Sequence, residues 1–267
     1  MGRPGTNLDP FAATPDPLSG YDRLVQMRTP VWCRPRSCWL LAHHAAVREA
    51  LRDTTSYSSA LGIGERPMRG VARPNLLTTD PPNHQRLRTL AGQAFTAASL
   101  RSLETSIRSR AQDLLERAMA KDTFDLVADY AARLPPVVIG DLLGLDETEA
   151  LGLLPWVEVL ATSLDVAEIY DERPGSLRRA FESLDRVFLD LLARSRRQGA
   201  TPLVRTLITA IDRDRLPTEI ALEFCSLLFG AGSETTAKLI ANTGRWLLDF
   251  DDFQRVGRDP TLIAGAI

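Results

Sequence analysis

A helical pattern running from Thr218 to Phe250 constrains this chain more than any other feature. Ile220, Phe224, Leu227, Leu228, Leu239, Trp246 and Leu247 supply its apolar faces. At 1.5 Å per residue such a helix is about 50 Å long, enough to cross a whole domain. Most of it must therefore be covered by other helices. Its middle breaks the local rules. Phe229-Gly230-Ala231-Gly232-Ser233-Glu234-Thr235-Thr236 sets two glycines, a carboxylate and two β-branched hydroxyl residues where strong helix formers belong. Each glycine costs about 1 kcal/mol relative to alanine in a helix interior.

Two readings account for this. In one, the small residues let a neighbouring helix pack closely and Glu234 forms a surface salt bridge. In the other, the glycines let a flat ligand approach the backbone, and the hydroxyls divert a helical carbonyl and open a local bulge. Thr235 would then hold a water or an oxygen species, and Glu234 would feed it protons from solvent.

A second helix is expected over 80–95, opened by Thr79-Asp80-Pro81-Pro82. Asp80 suits the N-cap and Pro81 the first helical position, where its missing N–H has no intrahelical partner to lose. His84 and Arg88, four residues apart, share one face and can converge on a single anion such as a carboxylate. Alternatively, both are surface polar residues of an amphipathic helix.

Helical periodicity also marks 45–52, 98–121, 127–143, 147–164, 176–197 and 202–211, so the chain reads as mainly α. Val31-Trp32-Cys33 and Cys38-Trp39-Leu40-Leu41 flank a proline-containing turn and predict a small N-terminal β-hairpin. The first twenty residues read as extended. The stretch 58–79, with Gly62, Gly64, Gly70, Pro67 and Pro74, reads as a long functional loop. A single incomplete domain over 1–267 is expected.

The net charge of -2 over 267 residues provides no basic field for nucleic acid or an anionic membrane. No signal peptide and no apolar run of membrane-spanning length is found in the sequence, and a soluble, cytoplasmic protein is expected. Cys33, Cys38 and Cys225 are an odd, scattered set that fits neither a disulfide framework nor a zinc knuckle, and no metal ligand is assigned.

Taken together, Asp80-Pro81-Pro82-x-His84-x-x-x-Arg88 followed by Ala94-Phe95-Thr96, and Ala231-Gly232-x-Glu234-Thr235-Thr236, resemble the haem-propionate helix and the long oxygen-binding helix of the soluble bacterial cytochrome P-450 family. Val47-Arg48-Glu49-Ala50-Leu51-Arg52-Asp53 and Arg258-Asp259-Pro260 are similar too, so the resemblance spans nearly the whole chain. Asn83 and Ala97 depart from the residues common in the family.

The resemblance implies the fold of the N-terminal two-thirds of a cytochrome P-450. It also implies haem b (iron protoporphyrin IX) as cofactor, with His84 and Arg88 on its propionates and Ala231 and Gly232 against its distal face. Thr235 becomes the oxygen-activation threonine and Glu234 its acid partner. The implied activity is that of a haem-thiolate monooxygenase, inserting one oxygen atom from O2 into a small organic substrate. Ferredoxin and ferredoxin reductase are implied as electron donors. The loop 58–79 would cover the substrate and 164–178 would form a lid. The stretch from Ser58 to Arg88 resembles bacterial members acting on aromatic acids.

None of the three cysteines has the context of the family's axial ligand, and the Glu-x-x-Arg helix that stabilises the proximal side in the family, late in its sequence, is not found. The chain is therefore expected to be a fragment that stops before both and is inactive by itself. The competing expectation is a non-catalytic P-450-like helper, or an inactive protein that binds a partner.

Overall fold

The computed structural model describes residues 5–12, 17–63, 74–92, 95, 97–165, 175–250 and 252–266. These divide into two compact units, one of residues 1–72 and 77–84, the other of residues 73–76 and 85–267.

In the first unit, β1 (Gly5–Thr6) pairs in parallel with β2 (Val31–Cys33), which pairs antiparallel with β3 (Cys38–Leu40). The register sets Trp32 opposite Trp39, and their rings meet edge to face at 5.5 Å. Leu24, Val31, Cys33 and Leu40 form the buried centre. The hairpin thus stands as the aromatic and apolar residues around its proline-containing turn predict. The expectation of an extended N-terminus holds only in part, because α1 (Pro17–Gln26) starts within it. Leu24 is the reason: it seals the small sheet, and the helix carries it there. The short helix α2 (His44–Ala50) follows.

The helix expected over 80–95 is shorter and starts later. Asp80 does not cap it with its side chain. Its carboxylate accepts from the Ser58 hydroxyl and from Ser59 N–H at 3.1 Å, while its carbonyl accepts from His84 N–H at 3.0 Å. Those donors hold the Asp80 carboxyl below the usual carboxylate range. Regular helix begins only beyond the two prolines, as α3 (Asn83–Gly92). Ala94 and Thr96 lie outside the described residues.

The second unit is helical. It contains α4 (Ala97–Met119), α5 (Leu134–Leu143), α6 (Glu147–Asp165), α7 (Gly175–Gln198), α8 (Pro202–Asp212) and α9 (Thr218–Asp249). Then come α10 (Phe253–Arg258), a 3-10 turn (Pro260–Leu262) and α11 (Ile263–Ala266). The single helix expected over 127–143 is two elements, a π-helical turn (Leu126–Ala131) and α5. Pro135 and Pro136 cannot donate to a preceding turn, so the helix restarts at them. Asp125 caps the π-helical turn, accepting from Val127 and Ala128 N–H at 2.8 and 3.0 Å.

Phe188, Leu184 and Leu191 of α7, Leu203 and Leu207 of α8 and Phe229 of α9 are fully buried in the centre of this unit. A polar hub fastens one end. Asp146 and Glu149 exchange backbone N–H bonds at 2.8 and 2.9 Å, a reciprocal cap on α6. Arg194 of α7 grips the Glu149 carboxylate and the Gly144 carbonyl. Gly144 ends α5 at φ 88°, a left-handed position that suits glycine. Residues 64–73 of the expected substrate-covering loop and 166–174 of the expected lid lie outside the described residues. No helix among the described residues is long and apolar enough to cross a membrane.

Candidate functional site

α9 runs unbroken, and its composition decides which side faces what. Ala221, Leu222, Cys225, Ser226 and Phe229 are buried, and the helix lies along α5 and the π-helical turn and against α6, α7 and α8. The expected bulge does not form; the helix is α throughout.

The glycines have a packing cause. A Cβ on Gly232 would sit 2.9 Å from Cδ1 and 3.0 Å from Cγ1 of Ile139 on α5, and one on Gly230 would sit 3.2 Å from Val157 of α6. Gly232 therefore leaves room for Ile139 of α5, the close packing that the first of the two readings describes. Ser233 points inward as well: it is 3% exposed, and its hydroxyl has no hydrogen-bond partner among the described residues.

The opposite side is open. Ala231, Glu234, Thr235 and Thr236 are exposed. Thr235 Oγ1 donates to the Ala231 carbonyl at 2.6 Å, the back-bond expected of a mid-helix threonine. Glu234 pairs with Lys238 one turn on. An acid and a hydroxyl thus sit side by side on a strip that the rest of the helix leaves bare.

On α3, His84 is half-buried and Arg88 is exposed, four residues apart on one helix. Neither side chain makes a hydrogen bond among the described residues. Two nitrogen-bearing side chains on one face, His84 acting only through its charge on Asp80 and Arg88 held by no hydrogen bond among the described residues, suit the acid groups of a propionate-bearing cofactor. On α9 a flat apolar group would meet the Ala231 methyl and the Thr235 side chain, since Ile139 already fills the notch at Gly232.

Two of the three cysteines are enclosed. Cys33 is buried in the hairpin and donates to the Leu8 carbonyl at 3.5 Å, and Cys225 is buried on α9 with its thiol pushed up to about 12 by burial. No cluster of three His, Cys, Asp or Glu side chains among the described residues could hold a metal ion.

One polar contact escaped the sequence reading. Glu223 of α9 is buried and accepts from Asn75 Nδ2 at 2.9 Å. The signal was available: an acid at 223 falls among the apolar positions of the helix, between Leu222 and Phe224.

No protein-family model matches the chain. It is 33% identical over 254 residues to cytochrome P450 109 of Bacillus spizizenii, covering 92% of this chain and 59% of that protein. It is 30% identical over 266 residues to cytochrome P450 107B1 of Saccharopolyspora erythraea, covering 92% of this chain and 64% of that protein. Its fold matches the crystal structure of CalO2 with a TM-score of 0.83 and 26% identity, over 94% of this chain and 64% of that one. The chain thus spans about three-fifths of the length of the curated relatives it matches.

Proposed function

We propose that this chain, which belongs to the cytochrome P-450 family, contributes the oxygen side of a haem-thiolate monooxygenase acting on a small organic substrate. The observation that carries this reading is the exposed stretch of α9 where Glu234 and Thr235 stand adjacent, beside Ala231. A scaffold that only binds a partner has no use for an acid and a hydroxyl so placed.

When bound, haem b would supply the iron centre at which O2 is activated, with a cysteine thiolate pushing electron density toward O–O cleavage. His84 and Arg88 would hold its propionates through their side-chain nitrogens. Ala231 and the Thr235 side chain would lie along its distal face, whereas the Gly232 expected there is taken by Ile139 of α5. The Thr235 hydroxyl, already donating to the Ala231 carbonyl, has its oxygen lone pairs available to accept from a water and hold it in place. Glu234, on the solvent side, exchanges its Lys238 contact for a proton from bulk water and passes it to that water.

Electrons would come from a ferredoxin and its reductase in the cytoplasm, and the stretch from Ser58 to Arg88 favours an aromatic substrate. None of the three cysteines fits the axial position, so in this reading the chain is inactive by itself.

Haem titration of the purified chain, followed by a reduced carbon monoxide difference spectrum, tests the proposal. Haem should bind without a thiolate-type Soret band, and Arg88→Ala should weaken binding about tenfold, the loss of one charge-assisted contact. A thiolate band would overturn the cysteine assignment. Unchanged affinity in both His84→Ala and Arg88→Ala would remove the propionate role. In a complete haem-loaded protein, Thr235→Ala should uncouple oxygen consumption from product while Thr235→Ser retains coupling.

A further inference from the structure

At the corner where α8 gives way to α9, a concavity of about 280 Å3 is lined by Arg205, Arg213 and Arg215, by Thr206 and Thr209, and by Leu90 of α3. The local backbone explains why the arginines gather there. Asp214 takes a left-handed φ of 52°; its N–H donates to the Ile211 carbonyl at 3.0 Å and that of Arg215 to the Ala210 carbonyl at 2.9 Å. These paired bonds close α8 and bring the residues on either side of Asp214 to the same hollow. Arg205 is steadied by donating to the Ala200 carbonyl at 3.0 Å. The Thr206 and Thr209 hydroxyls are occupied by the Pro202 and Arg205 carbonyls, so any ligand contact falls to the guanidiniums.

The charge around the hollow is not balanced by the protein. Among the described residues no carboxylate lines it. Asp212 is taken by Arg196, and Asp214 lies between two of the arginines in sequence without facing the hollow. Arg213 and Arg215 make no side-chain hydrogen bond among the described residues. The C-terminal end of α8 offsets only about half a unit of positive charge. Three guanidiniums less the neighbouring Asp214 leave roughly two positive charges around a space large enough for one tetrahedral anion.

We propose that this concavity is a seat for the doubly charged phosphoryl group of a small molecule. Arg213 and Arg215 grip it in bidentate fashion and Arg205 closes the third side.

Calorimetric titration of the full chain with inorganic phosphate and with pyrophosphate, beside chloride at matched ionic strength, tests this. Saturable binding is expected with the phosphates and none with chloride. The double variant Arg213→Gln, Arg215→Gln should raise Kd at least tenfold, whereas Arg178→Gln, at an exposed ion pair on α7, should leave it unchanged. Equal binding by the double variant, or chloride matching phosphate, overturns the proposal. So does a glutamate-rich peptide that binds more tightly than pyrophosphate, since the seat would then serve protein carboxylates. Far-UV circular dichroism checks that the double variant folds. If it does not, each single variant is titrated, with at least a threefold rise in Kd expected and no rise overturning the assignment.

Discussion

Asn75, in the segment that precedes α3, donates through Nδ2 to Glu223 Oε1 of α9 at 2.9 Å, and that carboxylate is only 9% exposed. A buried carboxylate stays charged only while donors surround it. Asn75→Ala should therefore destabilise the chain by about 1–3 kcal/mol, the cost of leaving a buried charged group short of a partner. Glu223→Gln, which still accepts from Asn75, should cost less. Urea midpoints measured for both variants check this, and a neutral Asn75→Ala would show that the contact contributes nothing.

At Gly232 two effects oppose each other. Alanine gains about 1 kcal/mol of helix propensity, but its methyl would stand 2.9 Å from Ile139 Cδ1 and 3.0 Å from Cγ1. Overpacking of this kind costs about 1–3 kcal/mol, so Gly232→Ala should be net destabilising. Both crowded atoms vanish in Ile139→Ala. A double-mutant cycle between the two positions should therefore show coupling of at least about 0.5 kcal/mol. Additive effects would mean that α5 does not set this glycine.

Two titrations act at opposite ends of the pH scale. Arg194 holds the Glu149 carboxyl below its ordinary value. The stability this contributes is present above the unfolded value of about 4.3 and is lost as pH falls through the lower folded value. Glu149→Gln should flatten that acid limb of the stability profile while leaving the alkaline limb in place. Cys225 behaves oppositely, its thiol raised to about 12 by burial. Stability should decline as pH rises above the unfolded thiol's value of about 8.5, and Cys225→Ala should remove the decline. In the folded chain this thiol should resist thiol reagents at pH 8 until denaturant is added; rapid native labelling would contradict its burial.

Trp246 and Phe250 stack at 4.8 Å on the outer face of α9, and each is 62% exposed. Leu239 and Leu248 on the same half of the helix are also exposed. An apolar surface of this kind drives association in water. Sedimentation should show self-association that rises with concentration and falls in the variant Trp246→Glu, Phe250→Glu. A monomer in both would show that the face is benign.

Which elements form was largely readable from local chemistry. The apolar spacing of α9 and the aromatic and apolar residues around the turn between Cys33 and Cys38 act over a few residues. A chain carries such signals in order. The start of α3 was misread because Asp80, a good N-cap by type, spends its carboxylate on Ser58 and Ser59, more than twenty residues earlier.

The sequence by itself therefore determined a long helix with an anomalous centre, and the family that centre resembles. Only the tertiary structure decided what each anomalous residue faces. Gly232 meets Ile139, Ser233 turns inward, and Thr235 and Glu234 are left open. The physical reason is that a helix presents every residue at a fixed angle, but which angles are covered depends on α5, α6 and the π-helical turn. Those arrive from distant stretches of chain whose approach no local propensity encodes.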